Sequence, residues 1–237
     1  MSIVDDVHSF AASACRGARG MKVIPACREE PPRPDQPVEI FEFEACPYCR
    51  KVREVLSELD LRYVARTCPK GDRVTRSEVE QLGGKQQFPF LRDPNTGDQL
   101  YESDDIADYL IETYAPAGAE MAAGGGVVRD VTAGLASAVR PKGGSVRPGC
   151  DRRDQPDERL ILYNFEISPF CRKVREALCE LNLDYEVRNV AKKSARRPEL
   201  VERGGQMMVP YLVDPNTDTE MYESDDIVAY LERTYRP

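Results

Sequence analysis

The alternation of apolar and polar positions changes period several times along the chain, and it does so twice in the same order. From residue 38, VEIFEF has the β-branched and aromatic content of a strand. CRKVREVLSEL at 49–59 then spaces Val52, Leu56 and Leu59 along one helical face. LRYVAR at 61–66 is a second strand, and a short helix near 75–82 ends at Gly83-Gly84. FPFLRD and DQLYE form a hairpin around PNTG. A last helix starts with Ser103 as its N-cap and turns Ile106, Tyr109, Leu110 and Tyr114 inward. The predicted order is strand, helix, strand, helix, strand, strand, helix, which is an α/β unit with one mixed sheet and helices on its faces.

The same order returns about 122 residues later. EFEACPYCRKVREVL at 42–56 faces NFEISPFCRKVREAL at 164–178, with 10 of 15 residues identical. LGGKQQFPFL at 82–91 faces RGGQMMVPYL at 203–212, PNT recurs at 94–96 and 215–217, and YESDDI recurs at 101–106 and 222–227. Upstream, IVDDVHSFAASACR at 3–16 faces VVRDVTAGLASAVR at 127–140, so an extra amphipathic helix leads each unit. A period this long excludes a solenoid and predicts two full domains. The divisions are a leading helix and linker at 1–37, a first domain at 38–116, a linker with the second leading helix at 117–158, and a second domain at 159–237. Pseudo-symmetric packing of the two domains on one another is an expectation of the repeat.

Composition narrows the function classes. The chain has 237 residues, 41% hydrophobic and 31% charged, with a net charge of −8, which disfavours nucleic acid as a partner. No apolar run approaches the roughly 18 residues needed to cross a bilayer. Neither leading helix has the basic face of a membrane-surface helix. Asp5 and Asp6 stand where a secretion signal would be basic, and the expected location is the cytoplasm. The eight cysteines then need another reading than a disulfide framework.

The strongest chemical signal is Cys46-Pro47-Tyr48-Cys49, placed after a strand and at a helix start. A cysteine there faces unpaired N–H groups and the positive end of the helix dipole, which favour the thiolate. Cys49, one turn on, is within reach to resolve a mixed disulfide on Cys46. Arg50 and Lys51 add nearby positive charge. A zinc site would need two further ligands, and no second CxxC or HxxxH supplies them, so no metal is expected.

With FPF near 89 and YES at 101–103, this motif resembles glutaredoxins and the N-terminal, glutathione-binding domain of glutathione S-transferases. The resemblance covers 38–116 and 159–237. It implies two tandem thioredoxin-like domains (β-α-β-α-β-β-α) and glutathione as co-substrate. It also implies a cis bond before Pro89 and glutathione contacts from Tyr48, Phe88, Pro89, Glu102 and Ser103. The lysine that glutaredoxins usually carry before the first cysteine is missing, since the chain reads Phe43-Glu44-Ala45. Lys85, Gln86 or Gln87 are the available substitutes.

In the second unit Ser168-Pro169-Phe170-Cys171 keeps everything but the first sulfur. Serine has too high a pKa to act unaided, and no histidine is near to activate it. Ser168, Cys171, Val209, Pro210, Glu223 and Ser224 therefore form either a glutathione-binding pocket without redox turnover or a degenerate copy kept for packing.

The leading expectation is a glutathione-dependent thiol–disulfide oxidoreductase acting on disulfides or glutathionylated thiols, with Cys46 and Cys49 as its catalytic pair. A conjugating glutathione S-transferase and a non-catalytic glutathione-binding scaffold are the alternatives. The redox reading requires that residue 46 be reachable from solvent and lie at the bend at residue 89.

Overall fold

The computed structural model describes residues 20–117, 119, 142–152 and 154–237. The two leading helices expected from the sequence, at 3–16 and 127–140, lie outside these residues. Among the described residues there are seven helices and one sheet.

A short helix, α1 (Pro25–Glu29), precedes the first unit. That unit runs β1 (Val38–Glu42), α2 (Pro47–Glu58), β2 (Tyr63–Thr67), α3 (Thr75–Gly83), β3 (Phe90–Arg92), β4 (Gln99–Leu100) and α4 (Ser103–Tyr114). The second repeats the order with β5 (Leu160–Asn164), α5 (Pro169–Glu180), β6 (Tyr185–Asn189), α6 (Arg197–Gly204), β7 (Tyr211–Asp214), β8 (Thr219–Met221) and α7 (Ser224–Tyr235). In each unit the first two strands are parallel, the first strand of the hairpin is antiparallel to them and the second hairpin strand turns back again, which is the thioredoxin-like arrangement.

The two sheets are one. Strand order is β4-β3-β1-β2-β6-β5-β7-β8, so the free edge of each unit closes on the other. β2 pairs antiparallel with β6, with Tyr63 opposite Val187, Val64 opposite Glu186 and Ala65 opposite Tyr185. Equivalent residues exchange places across this register, so a local twofold axis passes between Val64 and Glu186. A single apolar core follows, from Val38, Ile40, Leu56 and Leu110 through Tyr63 and Val187 to Leu162, Leu178 and Leu231. A smaller cluster lies under the short helix of each unit: Phe41, Cys68, Val79 and Phe90 in one, Tyr163, Leu200, Tyr211 and Val213 in the other.

The segments ahead of each unit reach across. Val23 N–H donates to Lys192 O at 3.0 Å and Lys192 N–H to Met21 O at 2.9 Å, in the second unit. In the mirror arrangement Lys70 N–H donates to Gly144 O at 2.8 Å and Val146 N–H to Lys70 O at 3.0 Å, in the first. Ile24 and Arg147 then donate to Glu58 O and Glu180 O at the helix end of their own unit.

On α2 the charged residues Arg50, Lys51, Arg53 and Glu54 are all buried together with their apolar neighbours. Two expectations need correction. Tyr109 and Tyr114 are not simply apolar, since both hydroxyls donate to Asp93, whose other oxygen accepts from Asn95 N at 2.8 Å. Tyr230, Tyr235, Asp214 and Asn216 repeat that network, which accounts for the recurring PNT. Ser103 is the first helical residue rather than the cap; Glu102 is the cap, at φ 62°, without a side-chain capping bond. The double glycine at the end of α3 has two reasons. A Cβ on Gly83 would stand 2.2 Å from the Tyr101 hydroxyl, and Gly84 takes a left-handed conformation, φ 82°, to end the helix.

Candidate functional site

The residues Cys46-Pro47 carry the chain from the loop after β1 into α2. Cys46 is extended at φ −70°, ψ 120°, and acts as the N-cap, its Sγ accepting the Cys49 N–H at 3.3 Å. Pro47 occupies the first turn, where no amide donor is needed. The Phe88–Pro89 bond is cis, and Cys46 Sγ lies 3.9 Å from the Phe88 carbonyl oxygen. The sulfur therefore sits at the bend at residue 89. Its exposure is a correction: only 3% of Cys46 is accessible, so the thiol lies recessed rather than open. Tyr48 beside it is 52% exposed.

The two thiols are driven apart in acidity. For Cys46, burial pushes the pKa up, but donation from the Cys49 thiol and from the Cys49 and Tyr48 N–H groups, with the Arg53 charge, more than offsets it. The net direction is below the ordinary thiol value. For Cys49, burial comes first, and donation to Cys46, the Cys46 charge and the Glu42 charge add to it, so it is pushed well up. A nucleophile next to a protonated partner is the arrangement that thiol exchange requires. The charge acting on Cys46 comes from Arg53, a residue the sequence reading passed over. Lys51, expected to act there, is engaged with Asp104 at 2.5 Å, and Arg50 is buried.

The other expected contacts border this point. Pro89 is buried, Phe88 is half-buried, and Phe88 meets the Phe43 ring edge-on with centroids 6.1 Å apart. Gln87 Nε2 donates to Glu102 Oε1, which brings Glu102 alongside the bend, while Ser103 is buried at the start of α4. Gln86 pairs with Glu80 and the Lys85 ammonium lies 4.5 Å from the Tyr101 ring centre. A cation missed in the sequence stands closer: the Arg76 guanidinium is 4.6 Å from the Phe88 ring centre and donates to Cys68 O and Pro69 O. Only its position in the first turn of α3, facing the Phe88 ring, reveals it.

The second unit keeps the scaffold. Ser168 caps α5 with Oγ accepting the Cys171 N–H at 3.3 Å, and Val209–Pro210 is cis. Cys171 is fully buried, and burial pushes its thiol up. Val209, Pro210, Glu223 and Ser224 come together with Phe170 and Met208 around a cavity of about 190 Å³. Ser168 and Cys171 are not among the residues lining it.

Behind Cys46, where α2 meets α5, lies a buried charge network from both units. Arg53 reaches Glu42 at 2.6 Å, Glu44 at 3.2 Å and Glu166 at 3.3 Å. Arg175 reaches Glu44 at 3.0 Å, Glu166 at 3.4 Å and Asn164 Oδ1 at 2.7 Å. Burial raises the Glu42 carboxyl to about 7 against the pull of Arg53. Glu44 meets the same burial, but Arg175 and Arg53 hold it down to about 2. Among the described residues no group of three or more His, Cys, Asp or Glu forms a metal-binding cluster.

Comparison with known proteins bears on the fold. The family model for the glutathione S-transferase N-terminal domain matches twice, at residues 40–118 and 162–237. A glutathione S-transferase-like protein, tpcF, of Aspergillus fumigatus is 33% identical over 82 residues. That match covers 35% of this chain and 36% of the relative, so the chain spans about a third of the relative's length. A solved structure from Leishmania, TDR1, described as a unique trimeric glutathione transferase, aligns with a TM-score of 0.31 at 15% identity, covering 85% of this chain and 68% of that one.

Proposed function

The chain belongs to the glutathione S-transferase N-terminal-domain family, carrying that domain twice, and on this premise we propose that it is a glutathione-dependent thiol–disulfide oxidoreductase. The observation that carries the reading is the Cys46 sulfur at the cap of α2, accepting an amide N–H at 3.3 Å beside the Phe88 carbonyl. Cys46 attacks a disulfide or a glutathionylated thiol, and the mixed disulfide is resolved by Cys49 or by a second glutathione. Glutathione lies along the bend at Phe88 and Pro89, with its γ-glutamyl end toward Glu102 and Ser103 and its cysteinyl end toward Cys46. Tyr48 forms the exposed rim. The domain limits remain those of the repeat, 38–116 and 159–237. The second unit carries no thiol at the capping position and is a binding or partner copy.

The test is reduction of a small glutathione mixed disulfide by purified protein. Cys46→Ser abolishes turnover and Ser168→Ala leaves it within about twofold; full activity in Cys46→Ser defeats the reading. A conjugating activity is the reading that the relatives' names favour. Turnover of an aromatic halide that survives Cys46→Ser and is lost in Ser168→Ala would replace the oxidoreductase with it.

A further inference from the structure

Around the bend of the second unit, polar side chains of the first unit are exchanged for apolar ones. In the first unit Gln86 Nε2 donates to Glu80 Oε2 at 2.8 Å, and Gln87 Nε2 donates to Glu102 Oε1. The repeat places Val201 and Met207 where Glu80 and Gln86 stand, and Met208 where Gln87 stands. Both members of one hydrogen-bonded pair have become apolar together. Phe170 likewise takes the place of Tyr48 and lacks its hydroxyl. The new side chains are not hidden in packing: Phe170 is 43% exposed, Val201 41% and Met207 37%. Large apolar side chains gathered in water at one place mark a binding surface.

Phe170 and Met208, with Val209 and Pro210, wall the cavity of about 190 Å³. An apolar cavity of about 150 Å³ is enough to take up benzene, so this one has room for a single ring. Methionine in the wall adapts to the shape of what enters. One group in the lining is charged. In the first unit Glu102 receives the Gln87 amide, but Met208 has no N–H to offer Glu223. The Glu223 carboxylate, exposed at the start of α7, has no ion pair and no side-chain hydrogen bond among the described residues. The ammonium of Lys173, 5.9 Å from the Phe170 ring centre, is taken by Asp225 at 2.7 Å.

Apolar walls, an aromatic face and one unmatched carboxylate select an apolar body that carries a positive charge. We propose that the second unit binds a small aryl- or alkylamine, with its apolar body in the cavity walled by Phe170 and Met208 and its ammonium against Glu223. An anion of the same shape would set its charge against that carboxylate. Glutathione, net negative and polar along its length, is the poorer fit to these walls. The inference gives a ligand class to the unit that lacks the capping thiol, and it stands apart from the redox reading of Cys46.

Methionine methyl NMR on the full chain tests it, with phenethylamine as the probe and phenylpropanoate as its anionic counterpart. The methyl signals of Met207 and Met208 are expected to shift saturably with the amine, while that of Met21, ahead of the first unit, stays in place. The anion is expected to bind at least about fivefold more weakly, the scale of one exposed charge contact. Glu223→Gln is expected to weaken the amine by about the same factor and to bring the two probes together. Met207→Gln and Met208→Gln, which restore the first unit's residues, are expected to weaken both probes, each read on the methionine that remains. Glu223 and Met207 are exposed, so their substitution leaves the core intact. Equal affinity for the two probes in the natural protein, or no saturable shift at Met207 and Met208, overturns the inference. So does glutathione moving these two methyls at the concentrations where the amine does, which would return the pocket to a tripeptide. Self-association that rises with protein concentration in sedimentation and vanishes in Met207→Gln would show a second copy on this face, and overturns it as well. Turnover at Cys46 is read in the separate assay above, and none of these outcomes bears on it.

Discussion

Arg53 Nε donates across the seam between the units to both carboxylate oxygens of Glu166, at 3.3 Å each. The helix that begins at the reactive sulfur is thereby fastened to the unit that lacks one. Arg175 returns the contact to Glu44, at 3.0 and 3.1 Å. This exchange uses the second arginine of the RKVRE that stands in both copies. Each arginine serves its own unit and its neighbour at once, so neither helix can change alone.

Removing one member strands the others as buried charges. Arg175→Met is expected to destabilise the protein by about 3–5 kcal/mol, read as a lower urea midpoint at unchanged slope. Arg203 and Glu220 form a comparable pair in the open, with side chains 40% and 34% exposed. Arg203→Met is expected to lose less than about 1 kcal/mol.

Glu42 and Glu44 give stability opposite responses to pH. Glu44 is depressed to about 2, so its contribution is complete above the ordinary carboxylate range and is lost as pH falls toward 2. Glu42 is raised to about 7, so the folded state holds a proton that the unfolded chain has already released. Its contribution is complete below the ordinary carboxylate range and is lost as pH rises to 7. The stability of the natural protein minus that of Glu42→Gln is therefore expected to fall between pH 4.5 and 7, by an amount on the order of 3 kcal/mol. Urea titrations at four pH values measure it, and a flat difference contradicts the assignment.

Cys46 combines a lowered pKa with poor access. Alkylation by iodoacetamide is expected to show a midpoint below that of a free thiol, because the α2 amides and Arg53 favour the thiolate. The plateau rate is expected to be slow, since only 3% of the residue is accessible. Tyr48→Ala at the rim is expected to raise that plateau several-fold without moving the midpoint. Cys46 that stays unmodified in the folded protein while reacting after unfolding removes it as a nucleophile.

Much of this was legible in advance, for identifiable reasons. Strands and helices announce themselves by local periodicity, and the order of elements followed from Val38 to Tyr114 and again from Leu160 to Tyr235. The bend at Pro89 and the cap at Cys46 also sit in local motifs. What stayed hidden depends on partners remote in sequence. Arg50 and Lys51 look like surface charges, yet both are buried, Lys51 against Asp104 of α4. Arg76 gains meaning only from the Phe88 ring, and Glu42 reads as one more polar position in a strand until Arg53 closes on it. Tyr109 and Tyr114 fit an apolar stripe because their hydroxyl partner, Asp93, lies in the preceding hairpin.

The repeat allows a chemical graft. Ser168→Cys places a sulfur at the cap of α5, where Ser168 Oγ accepts the Cys171 N–H at 3.3 Å. This variant, made in a Cys46→Ser background, is expected to regain a glutathione adduct but to resolve it slowly. Mass spectrometry distinguishes the adduct from the internal disulfide.

The glycine that closes α3 should tolerate no side chain. Gly83→Ala brings a Cβ within 2.2 Å of the Tyr101 hydroxyl and is expected to destabilise by about 1–3 kcal/mol. Tyr101→Ala in the same chain is expected to relieve the clash, so the double variant loses less than the sum of the two singles. A thermal melt of the four proteins reads the difference.

The seam at β2 and β6 carries one more implication. A unit severed from its sibling would bare the edge of the strand that now meets its partner there, beside a helix studded with unmatched charges. The surface best shaped to heal that wound is an identical one. Half of this chain, expressed alone, should seek out its twin and rebuild between two molecules the symmetry that the intact protein holds within one.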